Sequence, residues 1–143
     1  MRMPKILMTV LVAALPLALT VAFAGAAFSH DVPPIFAAKE FWQKFEDDRP
    51  KAEAEFIGKT MSYTGVVVET GMSIYMTPNV RLSDSPDGPV YLICVLPRAD
   101  VGKLSEYKKG DQVTMTGRVY RSRADGGVVV KECRRADPPT SPR

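Results

Sequence analysis

Hydrophobic and polar positions fall into three regimes along this chain. Residues 6 to 22 (Ile-Leu-Met-Thr-Val-Leu-Val-Ala-Ala-Leu-Pro-Leu-Ala-Leu-Thr-Val-Ala) are nearly unbroken apolar, preceded by Arg2 and Lys5. With His30 neutral, no charge recurs until Asp31. From residue 35 to residue 56 the apolar positions recur at helical spacing. Phe41 and Phe45 stand four apart, with Ala37 and Ala38 a turn earlier and Lys39, Glu40, Lys44 and Glu46 flanking them. Beyond Gly58 the period shortens to strict alternation, which belongs to strands.

The helical stretch divides in two. Asp47 and Asp48 precede Pro50, and an acidic residue ahead of a first-turn proline is a start signal, so a second helix is expected over residues 49 to 56. Gly58 closes it. Residues 59 to 70 then place Met61, Tyr63, Gly65 and Val67 on one strand face. Residues 74 to 82 form a weaker strand interrupted by Thr77-Pro78-Asn79, and residues 83 to 89 hold dense turn chemistry. Residues 90 to 96 are a continuous apolar run, the pattern of a strand covered on both faces. A polar connection over 97 to 110 has room for a helical turn near residues 99 to 107. In residues 112 to 121, Val113, Met115, Gly117 and Val119 share a face opposite Thr114, Thr116, Arg118 and Tyr120. A glycine-containing loop over 122 to 127 leads to a last strand over 128 to 132.

One grammar occurs twice. Met61-Ser-Tyr-Thr-Gly-Val-Val and Val113-Thr-Met-Thr-Gly-Arg-Val both read apolar, hydroxyl, apolar, Thr, Gly, any, Val. Glycine weakens a strand interior unless the strand bends sharply or another backbone comes close. A small closed barrel requires such bends, because one strand belongs to both halves. The expected fold is therefore mainly β with an N-terminal helix (α+β): a five-stranded OB-fold Greek-key barrel preceded by a helical segment. An unrelated small β sandwich is the alternative. The organisation reads 1–24 leader, 25–34 linker, 35–57 helical segment, 58–135 barrel and 136–143 a tail that does not pack.

The leader changes the composition. Arg2, Lys5, the apolar run and Ala22-Phe23-Ala24 make a secretory signal peptide, with no cysteine following for lipid attachment. An uncleaved membrane anchor is the competing reading, since the uncharged stretch could span a bilayer. Pro16 and the Ala-x-Ala site favour cleavage. The net charge of +3 falls to about +1 once Arg2 and Lys5 are gone, which weakens the case for an anionic partner. Export, with a periplasmic destination or a membrane-anchored alternative, also bears on Cys94 and Cys133. An even count in an oxidising compartment admits a disulfide, and two separate buried thiols are the other reading.

The chain resembles the tRNA-anti-like OB-fold family, which includes small exported bacterial proteins with a helix ahead of the barrel. The resembling residues are Phe45-Glu-Asp-Asp48, Lys51-Ala52, Phe56-Ile-Gly-Lys59, Thr64-Gly65-Val66-Val67, Val80-Arg-Leu82, Val90-Tyr-Leu-Ile-Cys94, Leu104-Ser-Glu-Tyr-Lys-Lys-Gly-Asp111, Val113-Thr-Met-Thr-Gly117 and Val130-Lys-Glu-Cys133. The resemblance as a whole spans about Phe41 to Cys133. The resemblance implies no particular ligand. It does imply that the cysteines of the third and fifth barrel strands belong to the pattern, and in an OB barrel those strands are neighbours. A Cys94–Cys133 bridge is then feasible, closing a loop of roughly 40 residues and contributing about 4 kcal/mol.

Catalytic chemistry is sparse. His30 is the only histidine and lies in the linker, so neither a Ser-His-Asp nor a Cys-His set can be assembled in the barrel. CxxC and HExxH spacings are absent, and no metal or cofactor is expected. Asp47-Asp48 reads as helix capping and Asp84 with Asp87 as turn chemistry. The expectation is a non-enzymatic exported binding module of the bacterial cell envelope. OB barrels bind across their second and third strands with help from the flanking loops. Those places hold Tyr75, Arg81 and Tyr91, then Tyr120, Arg121, Arg123 and Lys131. The partner is an envelope ligand or protein, and a membrane only if the N-terminal segment is retained. A single-stranded nucleic-acid-binding domain is the alternative by fold analogy, since Arg beside Tyr could stack on and neutralise a strand. Trp42 is expected to pack the helix on the barrel.

Overall fold

The computed structural model describes residues 34–136. The expected leader, all of the linker but Pro34, and the tail beyond Ala136 lie outside the described residues. Ala136 itself still pairs, donating its N–H to the Thr114 carbonyl at 2.9 Å.

The first element corrects an expectation. Residues 35 to 37 do not open the helix but form a short strand, β1 (Ile35–Ala37). It runs parallel to the first barrel strand, with Ile35 opposite Ser62 and Ala37 opposite Thr64. Pro34 holds the chain extended going in, and Ile and Phe suit a strand. Helix α1 (Ala38–Asp47) buries Ala38, Phe41, Trp42 and Phe45 on one face. It stops where Pro50, lacking an N–H and clashing with the preceding turn, forbids continuation. Asp48 then caps α2 (Arg49–Phe56), its carboxylate accepting the Lys51 N–H at 3.1 Å. Gly58 turns the chain out at φ +87°, a conformation that disfavours any side chain.

Five strands close the barrel: β2 (Thr60–Met72), β3 (Pro78–Ser83), β4 (Leu92–Val95), β5 (Gln112–Ser122) and β6 (Val128–Arg135). Their order is β2-β3-β4-β6-β5, and β5 returns to pair with β2. The β4–β6 pair is parallel, while β2–β3, β3–β4, β5–β6 and β2–β5 are antiparallel. This is the OB-fold. A 3₁₀ helix (Arg98–Glu106) fills the connection from β4 to β5.

Strand β2 belongs to both halves. Its first part pairs with β5, Thr60 against Arg118 through Val66 against Gln112, and its second part pairs with β3 after a shift between Val67 and Glu69. Met61, Tyr63, Gly65 and Val67 face the core as their alternation requires, and so do Val113, Met115, Gly117 and Val119. Both glycines are close approaches. A Cβ on Gly65 would stand 3.0 Å from Leu82 Cβ and 3.3 Å from Ala38 Cβ, so this glycine lets α1 seat on the barrel. Phe41 fills that end, its ring centroid 4.9 Å from Tyr63, 5.1 Å from Phe56 and 5.3 Å from Phe45. Each such buried aromatic contributes roughly 1.5–3 kcal/mol.

Three other expectations shift. The weak strand at 74 to 82 begins only at Pro78, because Ser73 closes a hydrogen-bonded turn with Thr77 and leaves residues 74 to 76 at its tip. Strand β4 is not covered on both faces: Leu92 and Cys94 are buried, whereas Ile93 and Val95 stay partly open. Strand β6 runs past Glu132. There Glu132 and Cys133 together oppose Gly117, since Arg118 pairs with Lys131 and Thr116 with Arg134. Glu132 takes φ +56° in this bulge. The extra residue turns Glu132 outward and brings Cys133 into the core.

Candidate binding surface

Two grooves cross the barrel exterior and divide the seven expected ligand residues between them. The first, about 580 Å³, lies between the β2–β3 turn and the outer faces of β5 and β6, and takes Tyr75, Tyr120, Arg121 and Lys131. The second, about 510 Å³, lies under α1 and the β5–β6 loop, and takes Arg81, Tyr91 and Arg123. The seven do not form one site.

The grooves differ in how their charge is spent. Arg81 pairs with Glu69, and Arg123 grips Asp125 with Nε 2.8 Å from one carboxylate oxygen and a second nitrogen on the other. That hydrogen bond raises the Arg123 pKa and lowers that of Asp125. The second groove is therefore largely self-neutralised.

The first groove keeps its cations. Lys131 Nζ sits 3.5 Å from the Tyr120 ring centroid and the Arg121 guanidinium 6.0 Å from it, a cation–π arrangement on a half-exposed ring. Among the described residues neither Arg121 nor Lys131 is in a salt bridge, and Glu132 beside them is held by Arg118 at 3.6 Å. Arg98 and Asn79 also line this groove and escaped the sequence reading. Arg98 sits in the polar connection and reaches the groove only through the fold, donating from its guanidinium to the Tyr75 carbonyl at 3.2 Å. Asn79 is buried, and its amide oxygen has no hydrogen-bond partner among the described residues. Its place inside the expected Thr77-Pro78-Asn79 interruption hid it. Val95, Leu96 and Val129 supply apolar floor.

Three of the four acids noted as pairs in the sequence have structural roles, and Asp47 does not share the capping with Asp48. Asp48 is the helix cap, Asp84 pairs with Lys39 at 3.6 Å, and Asp87 pairs with Lys109 at 2.8 Å, which holds its carboxyl below the usual carboxylate range. Among the described residues no three His, Cys, Asp or Glu side chains gather where a metal could bind, and no helix is long and apolar enough to cross a membrane. Cys94 and Cys133 are both buried free thiols on neighbouring strands. The Cys133 thiol donates to the Val130 carbonyl at 3.4 Å. Burial, then a hydrogen bond with Cys94, pushes its pKa well above the ordinary thiol value.

The family model tRNA_anti-like matches residues 1–134. No curated protein matches the chain. Among solved structures, a Klebsiella pneumoniae lipoprotein, provisionally described as nucleic acid-binding, superposes with a TM-score of 0.61 at 16% identity, over 73% of this chain and 92% of its own. An OBody bound to hen egg-white lysozyme gives 0.42 at 19% identity, over 57% of this chain and 78% of its own. The S. cerevisiae mitochondrial single-stranded DNA binding protein Rim1 gives 0.38 at 18% identity, over 56% and 96%.

Proposed function

The chain belongs to the tRNA_anti-like family, and on that premise we propose that it is a non-enzymatic, exported OB-fold module of the bacterial cell envelope that holds its ligand or protein partner in the first groove. The observation that carries this reading is the grouping of Tyr120, Lys131 and Arg121 on one open face, across from Tyr75 and Arg98. These groups make contact rather than chemistry. Guanidinium and ammonium groups attract an anionic or carbonyl-rich partner, and the tyrosines offer a flat apolar surface. Glu132, the only carboxylate among the described residues that line this groove, is engaged by Arg118 and exposed. Export rests on Arg2, Lys5, the apolar run and Ala22-Phe23-Ala24. Its lipoprotein likeness in fold is consistent with an envelope location.

The test is capture from periplasmic extract with the wild-type protein and with Tyr120→Ala/Lys131→Ala, followed by mass spectrometry of proteins, glycans and lipids. Components retained by the wild type and lost by the double variant support the groove. Identical retention by both overturns it.

The Lys131–Tyr120 stack also suits single-stranded nucleic acid, which is the second reading. With Arg98, Arg121 and Lys131 as the cations, log K should fall against log salt with a slope of about −2. The absence of any oligonucleotide binding at low salt ends that reading.

A further inference from the structure

The β2–β3 turn projects three large apolar side chains into solvent: Ile74 is 88% exposed, Tyr75 72% and Met76 69%. Neither Ile74 nor Met76 lines either groove. The turn is not a frayed end. Ser73 N–H donates to the Thr77 carbonyl and Met76 N–H to the Ser73 carbonyl, each at 2.9 Å. Tyr75 and Thr77 N–H both donate to Ser73 Oγ at 3.2 Å, and Arg98 satisfies the Tyr75 carbonyl. Met76 is held at φ +58°, an uncommon conformation for a non-glycine residue. A tip with the N–H groups of Ser73, Tyr75, Met76 and Thr77 already paired, and with aliphatic and aromatic side chains, strands few polar groups when it leaves water.

Its surroundings are cationic. Arg98, Arg121 and Lys131 share the groove with Tyr75, whereas the acids nearby are engaged: Glu69 by Arg81, Asp100 by Lys103 and Glu132 by Arg118. We infer that this turn docks the domain on an anionic lipid surface, with Ile74, Tyr75 and Met76 entering the interface and the three cations facing the headgroups. Nucleic acid fits the tip less well, since Ile74 and Met76 offer it neither stacking nor charge. The inference goes beyond the groove-binding reading and is independent of the N-terminal apolar run.

The experiment uses the full chain carrying Ile74→Cys, labelled with an environment-sensitive dye; the buried Cys94 and Cys133 are shielded from the reagent. A second protein carries the dye through Lys103→Cys, on the exposed face of the 3₁₀ helix. Both are mixed with phosphatidylcholine vesicles containing about 30% phosphatidylglycerol, with phosphatidylcholine vesicles, and with a single-stranded oligonucleotide. The expected result is a blue shift and quenching by bilayer-embedded bromolipid at position 74 only, strongest on the anionic vesicles. Arg121→Gln and Lys131→Gln should each weaken it about fivefold, and Met76→Ser should weaken it severalfold. Binding through the leader alone would leave position 74 unquenched, or quench positions 74 and 103 alike, and either outcome overturns the inference. Equal response to both vesicle types, or response to the oligonucleotide alone, also overturns it.

Discussion

The sulfur of Cys133 stands 2.8 Å from where a Cβ on Gly117 would lie, and that Cβ would also meet Val130 Cγ1 at 2.6 Å and the Lys131 carbonyl at 2.9 Å. The β6 bulge and the β5 glycine are thus two halves of one contact. Because a backbone atom is among the three, β5 and β6 must part to admit a methyl group. Gly117→Ala should lower stability by about 2–3 kcal/mol, as overpacking does at its upper range. Gly65→Ala, whose nearest contacts are 3.0–3.3 Å, should lower it by about 1 kcal/mol. Urea unfolding of both variants checks the order. A larger loss at Gly65 would mean that the bulge yields more readily than the helix seat.

What was legible in the sequence follows from how local each signal is. The repeated strand grammar announced the two glycines, and Asp48 ahead of Pro50 announced α2, because alternation and capping are written within a few residues. The bulge was not legible: Glu132 carries no mark of a positive φ. Nor was β1, whose partner lies beyond both helices. The turn tip was hidden because Ile74, Tyr75 and Met76 have strand propensity; only the Ser73 hydrogen bonds decide against it. At the candidate surface, the division of the seven residues between two grooves and the pairing of their cations were not legible. Arg81 and Arg123 look like Arg121 in sequence and differ by having carboxylates within reach.

The cysteines should respond to oxidant and to pH. Treatment of the folded protein with a mild oxidant is expected to join Cys94 to Cys133 intramolecularly and add about 4 kcal/mol of stability. Protein taken from its native compartment should already carry the bond; two free thiols there would sink the idea. In the reduced protein the folded Cys133 pKa lies above its ordinary value of 9.0. Its contribution is therefore intact below about pH 9 and declines as pH rises, because only the unfolded thiol ionises readily. Tyr63 and Tyr107, both raised above 10.0 chiefly by burial, act with the same sign higher up. Denaturation midpoints should fall with alkaline pH, and less steeply for the oxidised form.

Tyr63 buries its hydroxyl in the core with no hydrogen-bond partner among the described residues. Removing an unpaired polar atom while keeping the ring relieves a desolvation penalty. Tyr63→Phe should leave the protein as stable or stabilise it by about 1 kcal/mol. Phe41→Ala, which empties the middle of the aromatic cluster, should cost about 3–5 kcal/mol. Calorimetric melting of the two variants makes the comparison, and a clear loss in Tyr63→Phe would reveal a partner for the hydroxyl.

The split of charge between the grooves can be tested by changing equal charge in different places. Arg121→Gln/Lys131→Gln and Arg81→Gln/Arg123→Gln each remove two positive charges, so any effect of overall charge is common to both. In the second pair the lost cations were already occupied by Glu69 and Asp125, and exposed ion pairs contribute only about 0–1 kcal/mol. Neither double variant should melt more than a few degrees below the wild type. Retention of the envelope partner should nevertheless collapse for Arg121→Gln/Lys131→Gln and persist for Arg81→Gln/Arg123→Gln, because only the first removes charge that is free to meet a ligand. The opposite order, with binding lost through Arg81 and Arg123, would move the site to the groove beneath α1, where Trp42 and Tyr91 lie.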